Sequence, residues 1–214
     1  MLKRILIQAL ACCISCATLL PAHAQVAPSA EQVQHYSGLL AAAQSGDSAQ
    51  IKTLLAKKAP FDVRDAQQRT PLHVATYARQ REAIRLLAAA GADLNAFDYQ
   101  RYDPVTIAAV ANDEETLALL LQLGASARNV TSPYDGTALI AAAHLGHVGV
   151  VRQLIAADAP LDHINNLHWT ALIEAVVLGD GGRKHTEVVR LLLAAGANPT
   201  LGDRDGNTPL KLAR

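Results

Sequence analysis

The sequence predicts an all-α solenoid of stacked helix-turn-helix units joined by short β-hairpin-like tips. Self-similarity is the first reason. "TPLHVA" from Thr70 returns as "DPVTIA" from Asp103, "TALIAA" from Thr137, "TALIEA" from Thr170 and "TPLKLA" from Thr208. "SGLLAA" from Ser37 is a worn first copy, and the successive intervals are 33, 33, 34, 33 and 38 residues. A fixed period of this size marks a repeat architecture. The second reason is another signature that keeps pace: "AAAGADLNA" at Ala88, "LQLGASARN" at Leu121, "IAADAPLDH" at Ile155 and "LAAGANPTL" at Leu193. The third is composition. Half of the chain is hydrophobic but only 4% is aromatic, and the dominant Ala and Leu are strong helix formers.

Taken in order, residues 1–24 read as a signal peptide. Lys3 and Arg4 form a short positive region, Ile5 to Leu20 is apolar, and "PAHA" supplies small residues for a cut after Ala24. Export across a bacterial inner membrane to the periplasm is expected, with no stable membrane insertion after cleavage. Cys12, Cys13 and Cys16 all lie in this leader, so the mature chain has no disulfide, no thiol nucleophile and no zinc–thiolate site. Removing Lys3 and Arg4 leaves a net charge near −2. No basic footprint for nucleic acid appears.

Residues 25–29 form a short linker, and the repeats follow at about 30–64, 65–97, 98–130, 131–163 and 164–202, with a partial unit at 203–214. The first opens with "SAEQ", Ser29 to Gln32, which fits a capping box. At Thr70 and Thr208 a Thr before Pro is an N-cap followed by the favoured first helical residue, and apolar residues after the cap recur every three to four positions. Asp103 takes the Thr position in the third repeat and can still cap a helix. Gly91, Gly124 and Gly196 end second helices, where a left-handed backbone is needed. Lys58 and Asp158 hold the same register, so strained caps are expected there. The last unit has one helix, and fraying is expected from about Thr208.

These residues closely resemble the ankyrin repeat family: T-P-L-H-x-A at Thr70 to Ala75, "GH" at Gly146 and His147, "EVVRLLL" at Glu187 to Leu193, and "GAD" at Gly91 to Asp93. The resemblance covers about residues 30 to 214. It implies a non-catalytic protein-binding scaffold whose hairpin tips and first helices line a concave recognition surface. It also implies that His73, His147 and His185 are structural, tying turns together.

"LGDGGRKHTEVVRLLL", Leu178 to Leu193, has the outline of a phosphate-binding loop. Register removes that reading. Gly179 aligns with Gly146 and His185 with His147, so Asp180 to Lys184 is a five-residue insertion in a turn between two helices. A phosphate loop needs a glycine directly before its Lys-Thr pair and a strand feeding it. Arg183 and Lys184 are instead possible loop contacts for a partner.

No catalytic set emerges: there is no Gly-x-Ser-x-Gly elbow and no cysteine nucleophile after the leader. No cofactor and no metal are assigned. Aromatics are the informative residues. Tyr99 and Tyr102 fall in "DYQRYD", Tyr134 in "SPYDGT", and Leu167 and Trp169 in "NNLHWT", all at predicted tips. Tyr77 lies late in a first helix, in register with His144. Tyr and Trp anchor protein interfaces. Tyr77, Tyr99, Tyr102, Tyr134, His144, Leu167 and Trp169 are therefore the expected contact set, on a monomer. Two alternatives share the scaffold. One is a metal- or small-molecule-responsive protein using His144, His163 and His168. The other is an inhibitor or immunity-type protein for one enzyme.

Overall fold

The computed structural model describes residues 25–179 and 181–214. The expected leader, its cysteines and the cut after Ala24 lie outside the described residues. Helix α1 is Ala30–Gln34. Five helix pairs follow: α2 (Gly38–Ser45) with α3 (Ser48–Ala56), α4 (Pro71–Tyr77) with α5 (Arg81–Ala89), α6 (Pro104–Val110) with α7 (Glu114–Gln122), α8 (Ala138–His144) with α9 (Val148–Ala156), and α10 (Ala171–Val177) with α11 (Arg183–Ala194). Helix α12 (Pro209–Leu212) stands alone after them. First helices stack in one row and second helices in another. Each pair buries its apolar face only against its neighbours. Leu72, Ile84, Leu87, Leu117, Leu139 and Leu154 are fully enclosed between layers. Each contributes about 2–3 kcal/mol by leaving water.

The caps follow the residues. Thr70, Thr137 and Thr170 each accept the backbone N–H three residues on, and Asp103 does the same for Thr106 at 2.7 Å. The "SAEQ" capping box forms, but it opens the separate short helix α1; the first pair begins only after Ser37. Helix α1 buries no residue of its own. It is held instead by Arg69, whose enclosed guanidinium meets Asp65 at 2.7 Å, Gln32 Oε1 at 2.8 Å and the Val26 carbonyl at 3.2 Å.

The tips share one device. Asp65, Asp98, Ser132, Asn165 and Asp203 each accept backbone N–H groups from the residues two and four further on. Three residues after each, the chain turns left-handed, at Gln68, Arg101, Asp135, His168 and Gly206. Neighbouring tips join through the backbone, Tyr99 N–H to Gln67 at 2.9 Å and Asn166 N–H to Tyr134 at 3.0 Å. A strand pair forms at the tip before α8: β1 (Val130–Thr131) lies antiparallel to β2 (Gly136–Thr137), with Val130 opposite Thr137.

The insertion differs from the expected loop. Arg183 and Lys184 form the first turn of α11, which runs twelve residues where α9 runs nine. Both side chains are exposed. Gly182 is the N-cap without a cap side chain, and the last two residues of the insertion join the helix and lengthen it. The glycines serve packing and turning. A Cβ on Gly179 would sit 2.5 Å from the Ala175 carbonyl oxygen, and Gly181 has φ of +70°.

Candidate functional site

First helices stack in one row, and with the tips they line the face that the resemblance implies is concave. The third, fourth and fifth units enclose a cavity of about 440 Å³ in it. Its walls come from α6, α8 and α10 and from the tips before α8 and α10. Five of the seven expected contact residues line it: Tyr102, Tyr134, His144, Leu167 and Trp169. Tyr134 and Leu167 are exposed at 38% and 47%, and Trp169 is half-buried. Leu145 and Leu178 extend this apolar rim.

The other placements separate the set. Tyr102 keeps only 6% of its surface exposed, so it forms wall rather than anchor. It follows from position: Tyr102 shares the register of the buried Arg69, directly before the helix cap, where the side chain turns under the tip. Tyr99 is 74% exposed but sits outside this cavity, beside Val26, Gln67 and Arg69. Tyr77 does not line the cavity either; its hydroxyl is enclosed without a hydrogen-bond partner among the described residues. Gln25 also lines the cavity, and its enclosed amide nitrogen has no hydrogen-bond partner among the described residues.

One charged group stands in the floor. Glu174 is 4% exposed and occupies the helix position that Val74, Ile107 and Ala141 hold elsewhere. Its carboxylate accepts from Asn165 Nδ2 at 3.0 Å and faces His144 Nδ1 at 3.1 Å. A buried carboxylate must be compensated. Asn165 explains itself by this contact: at the tip position it does what Asp65, Asp98 and Asp203 do, and its amide adds the donor that a carboxylate lacks. The Glu174 hydrogen bond holds the His144 imidazolium together, raising its pKa above the ordinary histidine range despite partial burial. Neither Asn165 nor Glu174 was among the expected contacts. The signal was present: an acid interrupting the apolar "TALIEA" beside "TALIAA".

Four further histidines, His73, His147, His163 and His185, are engaged. Thr70 N–H donates to His73 Nδ1 at 3.2 Å, which leaves Nε2–H to donate to the Tyr102 carbonyl at 3.2 Å. Burial pushes His73 down to about 4. His147 Nδ1–H reaches the Ala109 carbonyl at 3.0 Å, and His185 Nε2–H reaches the His144 carbonyl at 3.0 Å. These three tie turns of adjacent units. His163 Nε2 donates to the Asp135 carbonyl at 2.6 Å. Among the described residues no group of three or more His, Cys, Asp or Glu is placed to hold a metal ion.

The model of the ankyrin repeat family, described as three copies of the repeat, matches residues 6–98, 39–130 and 105–203. The chain belongs to the ankyrin repeat family. It is 37% identical over 176 residues to YahD, an Escherichia coli (strain K12) protein named for its ankyrin repeats, across 82% of this chain and 87% of YahD. Among solved structures it is similar to an ankyrin repeat domain from Acinetobacter baumannii AYE, with 46% identity, a TM-score of 0.78, and 82% and 89% of the two chains covered. A second crystallised ankyrin repeat protein shares 31% identity at a TM-score of 0.74, over 83% of this chain and 92% of its own. Ankyrin repeats are in general protein-interaction modules, and no catalytic family is indicated. No helix among the described residues is long and apolar enough to cross a membrane.

Proposed function

We propose that this chain is an exported, non-catalytic binding module that holds another protein on its concave face in the periplasm. The observation that carries the reading is the cavity between α6, α8 and α10, rimmed by Tyr134, Leu167, Trp169, Leu145 and Leu178. Exposed aromatic and aliphatic groups around a concave, mostly apolar site are the composition of a binding hot spot. The scaffold is rigid, so docking freezes few degrees of freedom on this side of the interface. Export rests on the charged, apolar and small-residue order of residues 1–24.

Two measurements test it. Mass spectrometry of the protein recovered from the periplasm should find an N-terminus at Gln25; a cytoplasmic chain beginning at Met1 would refute export. Affinity capture from periplasmic extract should then retain a protein that a Tyr134→Ser, Leu167→Ser variant loses. Both sites are exposed, so the variant should keep its fold by circular dichroism. Equal retention by the two baits would move the contact surface elsewhere, to Arg183 and Lys184 on α11 first.

A further inference from the structure

The cavity is mostly apolar, and its buried acid is already hydrogen-bonded within the protein. What it leaves open toward a ligand are donors. Glu174 is an acceptor only, so the hydrogen bond at 3.1 Å puts a proton on His144 Nδ1 in either charge state. The atom that changes with pH is then His144 Nε2, on a side chain 51% exposed at the cavity wall. It has no partner among the described residues. When the ring is charged, Nε2–H is a cationic donor beside an apolar hole. Gln25, also in the lining, leaves a second amide donor with no partner among the described residues. Among the described residues Glu174 is the only carboxylate in the lining, and both of its oxygens are engaged.

Resting on the concave-face reading above, we propose that the partner inserts one large apolar side chain into this cavity and sets a neighbouring carboxylate on His144 Nε2. The fitting motif is an aromatic or branched aliphatic residue followed by Asp or Glu. Charge complementarity selects it: an acidic neighbour meets the imidazolium edge, whereas a basic one would be repelled by it. Glu174 from α10 presents the ring, and His185 from α11 holds its backbone carbonyl at 3.0 Å. Tyr102 and Tyr134 are the other titratable groups in the lining. Burial pushes the Tyr102 hydroxyl up, further from neutral pH. Recognition of the acid should therefore strengthen as pH falls through the His144 titration. The apolar part of the contact should not change.

The chain has a single Trp, and Trp169 lines the cavity, so its fluorescence and its indole NMR signal report occupancy. The probes are the blocked tetrapeptides Gly-Phe-Asp-Gly, Gly-Phe-Asn-Gly and Gly-Ser-Asp-Gly, titrated into the purified protein. At about pH 6 the Phe-Asp peptide should bind roughly tenfold more tightly than Phe-Asn, the scale of a hydrogen bond to a charged group. That preference should fall to about twofold or less near pH 8.5, and Ser-Asp should bind weakly throughout. Substituting His144 alone leaves Glu174 uncompensated and risks the fold. The double variant His144→Leu, Glu174→Gln removes both charges, and it should bind Phe-Asp and Phe-Asn alike. Equal binding of those two peptides to the unaltered protein at pH 6 overturns the carboxylate contact. No Trp169 response to any peptide, with a partner still captured and lost in the Tyr134→Ser, Leu167→Ser variant, overturns this inference and leaves the concave-face reading standing. Failure of the capture as well removes both.

Discussion

Lys58 and Asp158 show how one residue type sets a local energy. Both end second helices with φ near +60°, at 59° and 57°, where Gly91, Gly124 and Gly196 take 96° to 97°. A side chain in that region crowds the following carbonyl, at about 1–2 kcal/mol. The repeat register therefore predicts a stabilising change. Lys58→Gly and Asp158→Gly should each raise the unfolding free energy by roughly 0.5–1 kcal/mol, after allowing for the extra freedom glycine gives the unfolded chain. Urea titrations of both variants would check it. A loss of stability in both would mean that the lysine and aspartate make compensating contacts in these caps. At the same scale, Asn165 and Glu174 are best understood together, since the Asn165 amide accepts for the tip and also donates to Glu174, which an ionised aspartate there could not do.

At the scale of elements, the second helices differ most in how they begin. Helix α9 starts directly after His147, whereas α11 starts three residues earlier in register, at Arg183, and places two cations in its first turn. Positive charge at that end opposes the helix dipole. The insertion therefore lengthens an element without adding intrinsic helical stability. Helix α12 is the other exception. It has no side-chain cap, only Pro209 is buried, and Leu210 is 67% exposed. It packs on α10 without a second helix behind it. The amides of Lys211, Leu212 and Ala213 should exchange with solvent at least about a hundredfold faster than those of Leu172 to Ala175, as expected of a terminal turn with few buried contacts. Equal protection would show that the half-unit is a fixed lid.

At the scale of the whole molecule, stability is distributed along a row of nearest-neighbour interfaces, so a group buried between units acts on the stack. His73 is such a group: fully enclosed, bridging its own cap and the next tip. Burial lowers its folded pKa to about 4, while the unfolded value stays near 6.5. The folded state holds the neutral ring. Its contribution is complete above about pH 6.5 and is lost as pH falls toward 4. Roughly 3 kcal/mol is at stake once the unfolded state has taken up its proton across that window. His144, whose pKa is raised, runs the other way and adds stability below about pH 6.5. Unfolding free energies measured at about pH 7, 5.5 and 4 should fall, and a His73→Asn variant should show a shallower decline. An unchanged slope in the variant would assign the acid sensitivity to carboxylates instead.

The repeat period, the capping threonines, the left-handed caps and the class of fold were all legible in the chain alone. Each depends on residues within one turn or one period of each other, and local sterics and hydrogen bonding decide them. The tip acceptors stand five residues before each cap, but Asp, Ser and Asn do not look like one position until a common hydrogen bond unites them. What tertiary structure alone decided is who meets whom across units. It put Tyr102 inside and Tyr99 outside, drew Arg183 and Lys184 into a helix, and brought Glu174, Asn165 and His144 from three separate segments to one cavity floor. Those outcomes depend on side-chain packing between layers, which has no counterpart in the spacing of residues along a single chain.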